Sequence, residues 1–104
     1  MFKELEIHAK DFKVGDCIEP FWRQFVDGSI VNGFTQILGV SFGVPEPSGE
    51  WKRRQTEKFL EDFEEFRKAG SLMLVTIKTN YYEPMDVVMF KEEPFLVFRE
   101  KRGE

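Results

Sequence analysis

The chain has 104 residues, of which 41% are hydrophobic and 33% charged, and its formal net charge is −4. This composition is typical of one globular domain, residues 1–104, and excludes a disordered chain. No apolar run approaches the ~20 residues that a helix needs to cross a bilayer, so we expect no membrane contact. The acidic excess lies in residues 1–50, with four basic and eight acidic groups, and argues against a non-specific nucleic-acid coat.

The first residues and the counts of cysteine and phenylalanine predict the cellular compartment and the composition of the core. The first residues lack the basic and then apolar layout of a signal peptide, and we expect a cytoplasmic protein. The single cysteine, Cys17, rules out an internal disulfide bond and fits a reducing compartment. Twelve phenylalanines are many for a chain of this length, and we expect most of them to be buried.

The chain opens with a predicted strand and a tight corner. Alternation predicts a strand from Phe2 to His8, with Leu5 and Ile7 facing inward. The corner at residues 10–16 leads into a second strand, and Gly15 is free to take the positive φ that such a corner often requires. This opening is typical of a small β-structure.

Two further strands are predicted before residue 45. The second strand covers Asp16 to Phe25, and Pro20 within it predicts a sheet edge or a bulge. Tight turns are predicted at Asp27-Gly28 and at Asn32-Gly33. The next strand is expected to have one apolar face, formed by Phe34, Leu38, Val40, Phe42 and Val44.

One amphipathic helix is predicted from Glu50 to Ala69. Ser48 is its expected N-cap, and Gly70 its C-terminal stop. The face expected to dock on the sheet consists of Trp51, Gln55, Phe59, Leu60, Phe63 and Phe66.

Three short strands follow, at residues 72–79, 85–90 and 95–99, and residues 100–104 are expected to fray. Five or six strands with one inserted helix, at about 50–69, predict an α+β fold, either a small barrel or a curved antiparallel sheet. The helix caps the barrel or packs beside it, and both placements bury the same apolar face.

The corner at residues 10–18 and the closing run at residues 93–99 resemble small SH3-like β-barrel proteins of bacteriophages. The matching positions are Asp11, Phe12 and the pair Gly15-Asp16. The resemblance covers the β-part only. It implies an SH3-like barrel, a viral origin and hence the host cytoplasm, and it implies no catalytic residue.

Candidate catalytic and metal-binding groups are few. One histidine and one cysteine, His8 and Cys17, cannot form a structural zinc site. We expect an unreactive thiol, because the acidic neighbours Asp16 and Glu19 raise its pKa. Asp11 and Asp16 are expected to form a solvated acidic corner. We therefore predict no enzyme, no metal and no cofactor.

A basic and aromatic group is the strongest candidate binding site. Lys52, Arg53 and Arg54 fall in the first turns of the predicted helix, where cations oppose the helix dipole but could hold an anion. With the following hairpin they form a surface suited to single-stranded nucleic acid or a nucleotide. Its residues are Trp51, Lys52, Arg53, Arg54, Lys78, Tyr81 and Tyr82.

Three functions stay open. The favoured one is a non-enzymatic binding module, such as a small phage-type regulator or inhibitor, whose acidic half engages a basic surface of another protein. The alternative is binding of single-stranded nucleic acid or a nucleotide, and the second alternative is a small enzyme without His or Cys chemistry. A homodimer is slightly favoured over a monomer, because Pro20, Trp22 and Phe25 lie on a candidate edge strand.

Overall fold

The computed structural model describes residues 2–24, 30–46, 49–79 and 83–100. Six strands form one antiparallel sheet in the order β1-β6-β2-β3-β4-β5, and two helices separate β3 from β4. The elements are β1 Phe2–His8, β2 Cys17–Gln24, β3 Ile30–Ser41, α1 Gly49–Arg53, α2 Glu57–Lys68, β4 Leu72–Thr79, β5 Met85–Phe90 and β6 Pro94–Glu100.

The sheet is open, so the predicted barrel is wrong, whereas the α+β class is confirmed. β1 pairs with β6 and β5 pairs with β4, and the described residues contain no ladder between β1 and β5. The sheet instead curls until side chains of all six strands meet. The core side chains on the strands are Leu5, Ile7, Ile18, Ile37, Met73, Val75, Ile77, Val87, Met89, Phe95 and Val97.

β1 ends in a 3₁₀ turn, Ala9–Asp11. The main-chain N–H of Ala9 donates to the carbonyl oxygen of Glu93 at 2.8 Å, which ties the turn to the segment between β5 and β6. Ala9 and Phe12 enter the core, and the ring of Phe12 lies 5.0 Å from that of Phe95. Side-chain packing therefore fills the space that a hydrogen-bonded seam occupies in a barrel.

The corner before β2 has the predicted backbone. Gly15 has a φ of 97°, in the left-handed region that favours glycine. Its N–H donates to Ile37 O at 2.8 Å, and Ile37 N–H donates to Asp16 O at 2.8 Å. These two bonds fasten the corner to β3.

In the β2–β3 region the bulge predicted at Pro20 is confirmed, and one predicted turn is wrong. The register shifts between Ile18 and Phe21, which confirms the irregularity predicted at Pro20. Asn32-Gly33 is not a turn, because both residues pair with β2 inside β3. Asp27-Gly28 lies outside the described residues, as does Phe25. β2 lies between β6 and β3 but pairs with β6 only through Cys17 and Ile18. The described ladders give Pro20 and Trp22 no neighbour on the β6 side, and the dimer stays a prediction.

β3 begins four residues before the predicted strand, and its inward face differs. Thr35 and Ile37 are buried, whereas Phe34 is 40% exposed. A register shift between Ile37 and Gly39 changes the phase, so Val40 packs against the core as well. The predicted single face through Phe34 and Val40 is therefore wrong, because a bulge interrupts the alternation.

The single helix predicted over residues 50–69 is two helices. Thr56 adopts an extended conformation, with φ −72° and ψ 155°, and its hydroxyl accepts from Phe59 N–H at 3.2 Å. This N-cap starts α2 anew, because a residue in extended conformation cannot continue α1. Ser48 lies outside the described residues. Gly70 is the predicted stop, with a φ of 74°.

The α2 helix packs beside the core, on the outer face of β4 and β5. Phe63 is buried against Leu72 and Val88, with Phe59 and Phe90 around them. At the other end of the chain, Glu100 still pairs in β6, whereas residues 101–104 lie outside the described ranges.

Candidate functional site

The outer face of β1 carries a row of polar side chains. Leu5 and Ile7 pack against the core. Because successive residues of a strand point to opposite faces, Glu4, Glu6 and His8 lie on the outer face, and all three are exposed.

A groove of about 610 Å³ lies beside this row. Glu6 is opposite Leu96, and His8 is opposite Pro94, in the register of β1 and β6. The site therefore combines carboxylates from β1 and the 3₁₀ turn with apolar surface from β6. This β1 groove is lined by Glu6, Ile7, His8, Asp11, Pro94, Phe95 and Leu96.

Glu92 contacts Lys10 and His8, which lie next to the groove. Its Oε1 accepts from Lys10 Nζ at 2.7 Å, and its Oε2 lies 3.3 Å from His8 Nδ1. The hydrogen bond with Lys10 lowers the pKa of Glu92 and raises the pKa of Lys10. Within the described ranges, no ion pair involves Glu4 or Glu6. Both side chains are exposed on the outer face of β1.

An ion pair between Arg99 and the buried Asp16 fixes the segment that carries Asp11. Arg99 Nε donates to Asp16 Oδ1 at 2.8 Å and Arg99 Nη2 donates to Oδ2 at 2.9 Å, while Asp16 is 1% exposed. Arg99 Nη2 also donates to the carbonyl oxygen of Asp11 at 3.3 Å. The hydrogen bonds with Asp16 raise the pKa of Arg99. The solvated corner predicted for Asp16 is therefore wrong.

The basic residues of the predicted site lie at the end of a helix and not at its start. Lys52 and Arg53 lie in the last turn of α1, where a helix dipole favours cations, and Arg54 follows the helix. All three are exposed. At the start of α2 the Thr56 hydroxyl accepts from the Phe59 N–H, and the binding role of the three cations stays a prediction. The side chain of Trp51 lies outside the described part of the chain.

Lys78 lies on another element, near the end of β4. It is exposed and stands opposite Gln36 of β3. α2 packs on Leu74, and Lys78 is four residues further on, or ~13 Å along the strand. Lys78 lines a depression of about 260 Å³ with Cys17, Phe34, Gln36 and Thr79. Tyr81 and Tyr82, predicted beside it, lie outside the described residues.

His8 and Cys17 do not form a catalytic pair. β6 lies between the two strands that carry them, and Cys17 pairs with Phe98 of β6. Burial, with a smaller contribution from Asp16, raises the pKa of the Cys17 thiol. The pKa of the thiol shifts in the predicted direction, but burial and not the acidic neighbours is the larger cause.

A second exposed apolar region lies where α2 meets the segment between β5 and β6. The rings of Phe66 and Phe90 meet edge to face at 5.0 Å, and Phe42 is 56% exposed with Lys91 Nζ 5.3 Å from its ring centre. Phe66, predicted on the face that docks on the sheet, contacts Phe90 of β5 but is still 39% exposed. A depression of about 410 Å³ is lined by Phe66, Gly70, Ser71, Phe90, Lys91 and Glu92. Because its rim carries both signs of charge, it does not select a partner by charge.

Sequence reasoning missed Glu4 and Glu6 as candidate site residues. The signal was present, since the alternation that turns Leu5 and Ile7 inward also turns these carboxylates outward. Asp11 was considered, but only as part of a solvated corner. Their meeting with Pro94 and Leu96 depends on strand order, which no local pattern reveals.

Within residues 2–24, 30–46, 49–79 and 83–100, no three His, Cys, Asp or Glu side chains form a group that could hold a metal ion. Among the helices of these ranges, none has the length and apolar character needed to span a membrane. Comparisons with protein-family models, curated proteins and solved structures found no match. The resemblance to phage SH3-like proteins stays a prediction, and function has to be argued from the groove.

Proposed function

We propose that this protein is a non-enzymatic binding module that engages a basic segment of another protein through the β1 groove. The observation that carries the proposal is the pair of carboxylates, Glu6 and Asp11, beside the apolar surface of Pro94 and Leu96. A lysine or arginine side chain can lay its aliphatic stem on apolar surface while its charged end reaches a carboxylate. The groove offers both halves of that contact.

Apolar contact has to supply most of the affinity. An exposed ion pair contributes about 0–1 kcal/mol, whereas burial of ~100 Å² of apolar surface contributes about 2.5 kcal/mol. The carboxylates accelerate association and select the sign of the partner's charge. We therefore expect binding that weakens with added salt without vanishing.

Catalysis has less support than binding. A nucleophilic thiol needs a lowered pKa, and burial raises the pKa of Cys17. His8 lies beside Glu92 and is separated from Cys17 by β6. A docking surface needs no such pair, so the acidic groove favours recognition over chemistry.

The test is a peptide-binding titration followed by fluorescence anisotropy. The probe is a labelled peptide of four lysines and three valines, and the matched peptide has four glutamates in place of the lysines. We expect the basic peptide alone to bind, and the double variant Glu6→Lys, Asp11→Lys to bind it about tenfold more weakly, since two attractive pairs become repulsive.

The control variant is Glu61→Lys with Glu65→Lys, which makes the same change in net charge on the exposed surface of α2. It should leave the affinity unchanged within about twofold. An equal loss in both double variants would mean that net charge alone attracts the peptide. That result, or no binding of the basic peptide at low salt, would contradict the proposal.

A second candidate function is binding of single-stranded nucleic acid near Lys78. The observation that favours it is that Phe34, which is 40% exposed, and Lys78 line one depression, because a stacked base and its phosphate need an aromatic ring and a cation. A labelled oligonucleotide in the same titration tests it. Salt-sensitive binding that is lost in Phe34→Ala and in Lys78→Gln would rank this function above the first.

A further inference from the structure

The two edge strands of the open sheet differ in how accessible they are. In β5, Val87 and Met89 are 0% exposed and Val88 is 7% exposed, so almost no main-chain atom of its central residues reaches solvent. In β1, Leu5 and Ile7 are only half-buried. An added strand needs the N–H and C=O groups of an edge, and of the two terminal strands of the sheet β1 is the more exposed.

The charge of β1 opposes pairing with a second copy of itself. Residues directly opposite each other in an antiparallel pair share a face, and like charges there destabilise the pair. A register centred on Leu5 sets Glu4 against Glu6 twice, and registers centred on Glu4 or Glu6 set identical carboxylates against each other. The same row attracts a strand with cations at alternate positions.

We infer that the partner's basic segment binds as an extended strand added to β1, with lysine or arginine at every second position. This inference rests on the proposed function and specifies the shape of its ligand. The cationic side chains lie on the outer face beside Glu4 and Glu6. The residues between them lie on the side of Leu5 and Ile7, where apolar β-branched side chains continue the core.

The length of the segment follows from β1. The strand has seven residues, so an added strand of the same length matches it over ~23 Å. At the His8 end, a basic residue of this strand reaches the β1 groove, where Glu6 and Asp11 lie. Recognition therefore combines main-chain pairing along β1 with side-chain docking in the groove.

The experiment compares peptides of identical composition with the intact protein. The first alternates lysine and valine over seven residues, and the second joins the same four lysines and three valines in two blocks. Two further versions of the alternating peptide carry methyl groups on main-chain nitrogens. In the first version every valine nitrogen is methylated, and in the second the main-chain nitrogens of the internal lysines are methylated. Only one alternate set of N–H groups faces β1, so strand addition uses one set and leaves the other free.

We expect the alternating peptide to bind about tenfold more tightly than the block peptide, and only one methylated peptide to lose binding by a similar factor. Amide hydrogen exchange should slow at alternate residues of β1 when the peptide is bound. Equal binding of both methylated peptides and the block peptide, with no change in exchange, would overturn strand addition and leave the proposed function standing. Failure of every basic peptide would overturn both.

A charge-reversal variant supplies an independent check. Glu4→Lys with Glu6→Lys should lose the lysine–valine peptide and bind the glutamate–valine peptide of the same length and order. Both positions are exposed, so the fold should persist. Retained preference for the lysine peptide in this variant would also overturn the inference.

Discussion

At the scale of single residues, the ion pair of Asp16 and Arg99 joins two distant parts of the chain. Asp16 is fully buried and accepts two hydrogen bonds from Arg99 and one from Lys13 N–H at 2.8 Å. A buried carboxylate is tolerated only when it is paired in this way. The pair also joins the corner before β2 to the last strand.

Substitution of Asp16→Ala should destabilise the fold strongly. We expect a loss of about 2–4 kcal/mol, because Arg99 and the Lys13 N–H lose their acceptor while Arg99 keeps partial access to water. Urea unfolding followed by circular dichroism measures this loss. The exposed pair of Lys10 and Glu92 is the control, and Glu92→Gln should change the midpoint little. Equal effects of the two substitutions would contradict this account.

At the scale of elements, local chemistry decided where the helices begin and end. Thr56 caps α2 and so divides the predicted helix, and Gly70 ends it in the left-handed region. The Ser71 N–H donates to Phe66 O at 3.1 Å, which satisfies one of the last carbonyl groups of the helix. Neither cap depends on the sheet.

Gly70 and Gly49 have equal free space around them, so their substitution by alanine measures the cost of a positive φ by itself. A methyl group would meet nothing within 4 Å at Gly70 or at Gly49, but only Gly70 has a positive φ. Gly70→Ala should therefore cost about 1–2 kcal/mol. Gly49→Ala should be neutral or stabilise by about 0.5 kcal/mol, because alanine restricts the unfolded chain. Thermal unfolding of both variants checks this, and equal midpoints would refute it.

At the scale of the whole molecule, the two terminal strands of the open sheet, β1 and β5, differ in exposure. β5 is covered by the core and by α2, whereas β1 relies on Glu4 and Glu6. Charged side chains on an edge strand are a common barrier to edge-to-edge association. The same charges that we propose for binding a basic strand should therefore oppose the pairing of two copies of this protein along β1.

Removal of that barrier should increase self-association. We expect Glu4→Gln with Glu6→Gln to form more dimer than the wild type at equal protein concentration, because the edge loses its like-charge repulsion while its hydrogen-bonding groups stay accessible. Light scattering after size-exclusion chromatography measures the mass. Glu61→Gln with Glu65→Gln is the control, and an equal increase there would attribute the effect to net charge.

Prediction from the sequence was most accurate where a local rule decides the structure. β1, β4 and β5 have the predicted bounds, because alternation and flanking turn residues are local signals. The inward face of β3 was wrong, since a bulge between Ile37 and Gly39 depends on the pairing with β4. The site predicted at cations such as Lys52 and Lys78 stays a prediction, and the groove around Glu6 and Asp11 was not predicted, because it depends on strand order.

The sequence by itself determined the α+β class, the left-handed glycines Gly15 and Gly70 and the outward row of β1, because each follows from backbone sterics or from a two-residue period. Only the tertiary structure decided that the sheet stays open and that Arg99 neutralises Asp16. It also decided that β6 lies between β1 and β2 and so completes the groove. Strand order and ion pairs between distant residues are set by how the whole chain buries its core, and no local pattern encodes that result.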